Sequence, residues 1–259
     1  MQPVEVGLHT SDGVALAARY WDPGHRDLAC VVAHGFTGSS RNPHVQRISV
    51  GLTEHGVGVL ALDFRGHGRS GGVGTAGADE IHDVAAAVEW LRATGYRWIA
   101  VLGWSMGGTA VLRYAGLGGD ADAVVSVSAP GRWFERGTRP MRVVHWMFES
   151  RTGRTATRVL RRTRVSPTGW VTPPEAPAEV AGAIAPRPLL IVHGDADHYF
   201  PMHHPDALAA AAPEAEVWIE PQMGHAEVAT TADLVNRIAE WVIATCGQPS
   251  AVCDDDTRE

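Results

Sequence analysis

Two hundred and fifty-nine residues suit one large domain with at most a small insertion, and 45% hydrophobic with 20% charged content excludes a mostly disordered chain. A net charge of −7 argues against general affinity for nucleic acid. No apolar run reaches the roughly 18–20 residues that cross a bilayer, and the N-terminus lacks the basic start and apolar core of a signal peptide, so a cytoplasmic protein is expected.

The first residues, VEVGLHTSDGVALAARYW, predict an antiparallel hairpin turning at Asp12–Gly13. Short apolar runs then alternate with helical patterns. Cys30–His34, Val57–Phe64, Trp98–Trp104 and Ala123–Ala129 are predicted buried strands. The clearest helix carries Ile81, Val84, Ala85, Val88 and Leu91 along one stripe. After a long gap come Pro188–Gly194, Ala215–Glu220 and a last helix over Ala232–Ala244. Such alternation predicts an α/β protein with a mostly parallel sheet covered on both faces.

The stretch from 131 to 185 breaks this pattern. It is Arg-rich, then Pro-rich, with helical signals near Met141–Phe148 and Thr155–Leu160. It is expected to be a small cap inserted into a core formed by residues 1–130 and 186–246, with a disordered tail over 247–259. All 22 basic residues are arginine, which removes any lysine nucleophile or Schiff base. Ten arginines lie between Arg132 and Arg164 against two acids, Glu135 and Glu149. That segment carries +8 and the remainder −15. The arginines either attract an anionic substrate, a phosphorylated carrier or an acidic lipid surface, or form a solvated helix face. Cys30 is expected to be a reduced core thiol, and the three cysteines have neither zinc-site spacing nor the even count of a disulfide framework.

The strongest motif is Gly103-Trp104-Ser105-Met106-Gly107-Gly108. It follows the strand ending at Trp104 and precedes a helical pattern from Thr109. A serine at such a turn sits on strained backbone with its hydroxyl projecting above the sheet. The helix N-terminus then faces any negative charge that develops there. A lone serine needs a base, and the base needs a carboxylate to orient it. Asp195 and Asp197 follow one strand and His225 follows the next, all at C-terminal strand ends where open parallel sheets place their sites. His225 is the expected base, and either aspartate satisfies the spacing.

With these residues, the chain resembles the α/β-hydrolase superfamily over nearly its whole length. The resemblance rests on His34-Gly35-Phe36-Thr37-Gly38, Asp63 to Ser70, the serine turn, His193 to Asp197, and Gly224-His225. The HGFTG form is most similar to small bacterial carboxylesterases and feruloyl or cinnamoyl esterases. The family's G-x-x-D pattern implies Asp197 as the acid, with Asp195 the fallback. It also implies the backbone N–H groups of Phe36 and Met106 as oxyanion donors. The resemblance implies hydrolysis of a small-molecule ester through an acyl-enzyme, with no cofactor. Thioester hydrolysis and non-catalytic ligand binding stand as alternatives.

Trp104, Trp133, Phe134, Trp146, Phe200 and Met223 are the candidate pocket residues. Met147, Phe148 and Trp170 join the cap aromatics among them, and the competing reading is that these simply glue the cap to the core. Thirteen histidines invite a metal, but no HExxH is present and no metal site is expected; His193 and Asp195 are taken as structural. Asp63, Arg65 and His67 are expected to form a supporting loop network, and His34 to anchor the loop that follows it.

Overall fold

A computed structural model of the chain describes residues 2–170 and 172–246. The expected disordered tail, with Cys253, lies outside the described residues. The N-terminal hairpin forms from β1 (Val4–His9) and β2 (Ala15–Trp21), with Gly13 at a φ of 85° in its turn. Then β3 (Leu28–Ala33), α1 (Pro43–Glu54), β4 (Gly58–Leu62), α2 (Glu80–Ala93), β5 (Trp98–Trp104), α3 (Met106–Gly116) and β6 (Ala123–Val127) alternate. The chain leaves the sheet through α4 (Arg139–Glu149), α5 (Arg151–Arg161) and the short α6 (Pro177–Val180). It returns with β7 (Leu189–Gly194), α7 (His203–Ala211), β8 (Glu216–Glu220), the short α8 (Ala226–Ala229) and α9 (Ala232–Cys246). Helix α1, which no stripe located, starts at Pro43 with the Asn42 side chain accepting from His44 N at 2.9 Å.

The strands form one sheet in the order β1-β2-β4-β3-β5-β6-β7-β8. The β1/β2 and β2/β4 pairs are antiparallel and the others parallel. Side chains alternate between two cores, as strand geometry requires. Val31, Leu60, Leu62, Ile99 and Val101 pack toward α2 and α3. Cys30, Val32, Val59, Leu102 and Trp104 pack toward α1 and α9. Cys30 and Cys246 are buried free thiols on that second face. Among the described residues, no helix is long and apolar enough to cross a membrane.

Between β6 and β7 the packing is thinner. Helix α4 buries no residue, and α5 buries only Gly153 and Thr157. Thr138 caps the first of these helices and Ser150 the second, through side-chain oxygens that accept from Met141 N and Gly153 N. The segment is fastened to the loop after β4. Arg164 N donates to Gly66 O at 2.7 Å, Gly74 N donates to Arg164 O at 2.8 Å, and the Arg164 guanidinium donates to Ser70 O. Trp170 Nε1 donates to Thr75 O at 2.7 Å.

Candidate active site

Ser105 is the residue between β5 and α3, with φ 53° and ψ −115°. Its flanking glycines are required sterically. A Cβ on Gly103 would lie 2.2 Å from Gly107 O, and one on Gly107 would lie 2.1 Å from Ala33 O. The resulting turn lifts the serine hydroxyl off the sheet and toward His225, whose Nε2 is 3.0 Å from Ser105 Oγ. On the other side of that ring, Nδ1 is 2.7 Å from Asp197 Oδ2. The second Asp197 oxygen accepts from Tyr199 N at 2.8 Å and Phe200 N at 3.1 Å. Burial alone would raise the Asp197 carboxyl. The His225 hydrogen bond and charge, with the two amides, outweigh it and hold the group below its ordinary value. An ionised Asp197 requires the His225 proton on Nδ1, which leaves the Nε2 lone pair facing the hydroxyl. A hydroxyl so placed can be deprotonated as it attacks a carbonyl.

Asp195 is placed elsewhere. Its carboxylate accepts from Gln222 N at 2.6 Å and buttresses the β8–α8 turn from an exposed position. His193, at the end of β7, has its Nε2 2.8 Å from Phe200 O, so it fastens the same loop. Asp63 accepts from Ser40 N at 2.6 Å and Arg69 N at 2.9 Å. Arg65 pairs with Asp83 and, bidentately, with Asp12. These are loop-holding contacts.

Across the serine lies the loop after β3. His34 is fully buried; its Nε2 accepts from Phe64 N at 3.2 Å, so its Nδ1–H donates to Gly35 O at 2.7 Å. Burial, with His67 close by, pushes His34 down to about 4 and keeps it neutral. Gly38 N donates to the same Gly35 oxygen at 2.9 Å. Among the described residues, no protein acceptor meets the N–H of Phe36 or of Met106. Met106, as the first residue of α3, has no intrahelical partner for that group. Phe36 and Met106 both line the cavity that Ser105 lines.

That cavity is about 1120 Å³, somewhat above the usual size of a small-molecule site. Trp133, Phe134 and Phe200 line it as expected, together with Met147, Phe148 and Trp170. The other three candidates do not. Trp104 falls on the strand parity that faces α1 and α9, and its buried Nε1 donates to Thr230 Oγ1 at 3.0 Å. Met223 packs into the same core. Trp146 is 44% exposed, because Val144, Met147 and Phe148 share the helical face turned to the cavity and Trp146 lies off it. The aromatics of the 131–185 segment both fasten that segment and line the cavity. Trp133 and Trp170 pack together at 4.8 Å, donate to Pro174 O and Thr75 O, and still line the cavity. Phe148 packs on Phe36 at 4.6 Å, so α4 rests on the loop beside the serine.

Three features escaped sequence reading. The Tyr199 ring stacks on His225 at 4.2 Å and 22°. Ser128, at a φ of 53°, accepts from Ala226 N at 3.1 Å and so places the turn that carries His225. Glu135, His203 and His204 bring possible ligand atoms within 4.8 Å of one another. In that cluster, however, His204 Nδ1 accepts from Gly131 N at 3.1 Å, so Nε2 carries the proton and donates to Glu135 Oε2 at 3.1 Å. A metal would need the lone pair that this proton occupies. Burial pushes His204 down to about 4, in keeping with a neutral donor. The cluster joins α7 to the start of the 131–185 segment.

Comparison with known proteins agrees with this architecture. A family model described as the alpha/beta hydrolase fold matches residues 30–150. The Pyrococcus furiosus esterase Pf2001 superposes with a TM-score of 0.77 at 24% identity, over 95% of this chain and 92% of that one. The protein has the α/β-hydrolase fold. Est1E from Butyrivibrio proteoclasticus, solved with ferulic acid bound, shares the α/β-hydrolase fold with a TM-score of 0.63 at 22% identity, over 93% of this chain and 99% of that one. A serine hydrolase-like protein of Dictyostelium discoideum is 28% identical over 110 residues, which is 40% of this chain and only 28% of that relative's length.

Proposed function

We propose that the protein hydrolyses a carboxylic ester through an acyl-enzyme, with Ser105 as nucleophile, His225 as general base and acid, and Asp197 as the carboxylate that orients His225. The observation that carries this reading is the continuous chain from Ser105 Oγ to His225 Nε2 at 3.0 Å and from His225 Nδ1 to Asp197 Oδ2 at 2.7 Å. His225 takes the Ser105 proton as Oγ attacks the ester carbonyl. The negative charge on the carbonyl oxygen is met by Phe36 N–H and Met106 N–H. The tetrahedral adduct collapses, and the alcohol leaves with the proton from His225 Nε2. Water, deprotonated by the same imidazole, then releases the acid. Asp197 holds the productive tautomer and stabilises the imidazolium. Removing one oxyanion donor typically costs about 10²–10³ in rate.

The segment 131–185 serves as the cap of this site, with Trp133, Phe134, Phe148 and Trp170 forming an apolar wall suited to an acyl chain or an aromatic acid. The fold shared with an esterase and with a protein that holds ferulic acid is in keeping with that substrate class. Thioester cleavage is the second reading. It is favoured by Arg132 and Arg161, which line the cavity without an acidic partner among the described residues. A fluorophosphonate probe should label Ser105 in the wild type and leave Ser105→Ala unlabelled, and an absence of labelling would point to a ligand-binding role instead. Matched panels of aryl esters, acyl esters and acyl thioesters then separate the two hydrolytic readings by kcat/KM.

A further inference from the structure

The oxyanion loop poses a geometric problem. The Gly35–Phe36 peptide is a planar trans unit, so Gly35 C=O and Phe36 N–H point in opposite directions. Aiming Phe36 N–H at the cavity therefore means fixing the whole peptide, and glycine offers the least resistance to its rotation. The carbonyl end is held by His34 Nδ1–H and Gly38 N–H. The other side of Gly35 is held from outside the loop. Its own N–H donates to Glu227 Oε1 at 2.5 Å.

Glu227 comes from α8, two residues beyond His225, and lines the cavity. Its position is itself fixed. Arg47 from α1 donates to the Glu227 and Thr230 carbonyls, and Trp104 Nε1 holds the Thr230 hydroxyl. The fit around Gly35 is close. A Cβ there would lie 3.3 Å from both Glu227 Oε2 and Ser105 Cβ. No arginine or histidine side chain makes an ion pair with this carboxylate among the described residues; beside its own backbone N–H, its polar partner there is the Gly35 amide. Burial raises the carboxyl above its ordinary value, against the pull of that amide.

The geometry points to Glu227 as a positioning residue: through Gly35 N–H it ties the loop bearing the oxyanion donor to the turn bearing the base, so that Phe36 N–H and His225 are registered to one another. The assignment rests on the ester-hydrolase reading above. Its effect is specific to the transition state, because an oxyanion donor is used most when charge develops on the carbonyl oxygen.

Steady-state kinetics on a neutral aryl ester tests it with three variants, each also followed by thermal unfolding. Glu227→Ala removes the acceptor and should lower kcat by about tenfold or more, part of the 10²–10³ expected for full loss of a donor, while KM stays within about twofold. Glu227→Gln keeps an oxygen that can accept from Gly35 N–H, and should retain kcat within about threefold of wild type. Wild-type kcat in Glu227→Ala overturns the assignment, as do equal losses in both variants or a change confined to KM. Undiminished turnover in Ser105→Ala overturns the serine reading instead, and does so independently of either Glu227 variant. If Glu227→Ala does not fold, Glu227→Met, which keeps the bulk without an oxygen acceptor, takes its place: a loss of about tenfold in kcat there with kcat retained in Glu227→Gln supports the acceptor role, and equal rates in the two overturn it.

Discussion

Exchanging one oxygen for an NH₂ at Asp197 tests the hydrogen-bond chain at its most constrained point. In Asp197→Asn the amide can adopt only one sensible orientation. One side of the carboxylate faces two backbone donors, Tyr199 N and Phe200 N. The amide oxygen must take that place, since an NH₂ there would meet two N–H groups. The NH₂ is thereby directed at His225 Nδ1, 2.7 Å away in the wild type. Facing a donor, Nδ1 must become the acceptor, and the ring proton moves to Nε2, opposite Ser105 Oγ. The base has then lost its lone pair without any change of shape. A loss of about 10⁴ in kcat is expected, or about 5.5 kcal/mol of transition-state stabilisation. Asp195→Asn supplies the control, because an amide oxygen there can still accept from Gln222 N, and kcat should fall less than about threefold. Initial rates on an aryl ester, with unfolding midpoints for both variants, provide the measurement. More than about a tenth of wild-type kcat in Asp197→Asn, or a larger loss in Asp195→Asn, would refute the reasoning.

Ser105→Ala should lose nearly all ester turnover and all fluorophosphonate labelling while its unfolding midpoint stays within a few degrees of wild type, since among the described residues the hydroxyl bonds only to His225. Two buried histidines oppose acid. His34 and His204 are held neutral down to about 4 against an ordinary 6.5, so the unfolded chain binds more protons between those values and stability falls as pH falls through that window. Between pH 7 and pH 5 each contributes a loss of about 2 kcal/mol, opposed by Asp83, whose carboxyl burial pushes up to about 7. The His204 contribution is therefore read from the difference in the pH dependence of urea midpoints between wild type and His204→Gln, and identical pH dependence in the two would contradict it. If the cap field steers an anionic thioester, its kcat/KM should fall as salt shortens the Debye length from about 30 Å at 0.01 M to about 8 Å at 0.15 M, while a neutral ester stays constant. The double variant Arg132→Gln, Arg161→Gln should remove that salt response, and an identical response for both substrates would leave these arginines as ordinary surface charge.

The core was legible because its signals are local. Parallel strands covered on both faces are unbroken apolar runs, and the helices between them repeat at 3.6 residues. The errors are at the edges. The run read through His34 ends as strand at Ala33, because His34 turns to bond Gly35 and Phe64. Ser105, Asp197 and His225 were legible for a similar reason: each stands at the C-terminal end of a strand, within a short glycine-bearing motif. Glu227 had no such signature. Its bond to Gly35 joins residues 192 apart in sequence, and a glutamate on a short helical pattern looks like any solvated one. Trp104 was misplaced although its parity was available. It shares a strand face with Ala100 and Leu102, so adjacency to Ser105 put it next to the site in sequence and on the opposite side of the strand in space.

The 131–185 segment resisted reading because its amphipathic helices have no core of their own to face. Helical periodicity does separate Val144, Met147 and Phe148 from Trp146, but which stripe meets the cavity depends on how α4 is docked. That docking is set by contacts far away in sequence, Phe148 on Phe36 and Trp170 on Thr75. Charge suffers the same loss of information. A count gives the segment +8 and treats ten arginines alike. In space Arg136 pairs with Glu149, Arg142 and Arg154 are spent on backbone carbonyls, and Arg164 is stitched to the loop after β4. Replacing Arg164 would therefore weaken the attachment of the segment itself, and a salt experiment built on it would confuse steering with unfastening. Arg132 and Arg161 line the cavity without carrying such an attachment, and at those two positions a change of charge can be separated from a change of structure.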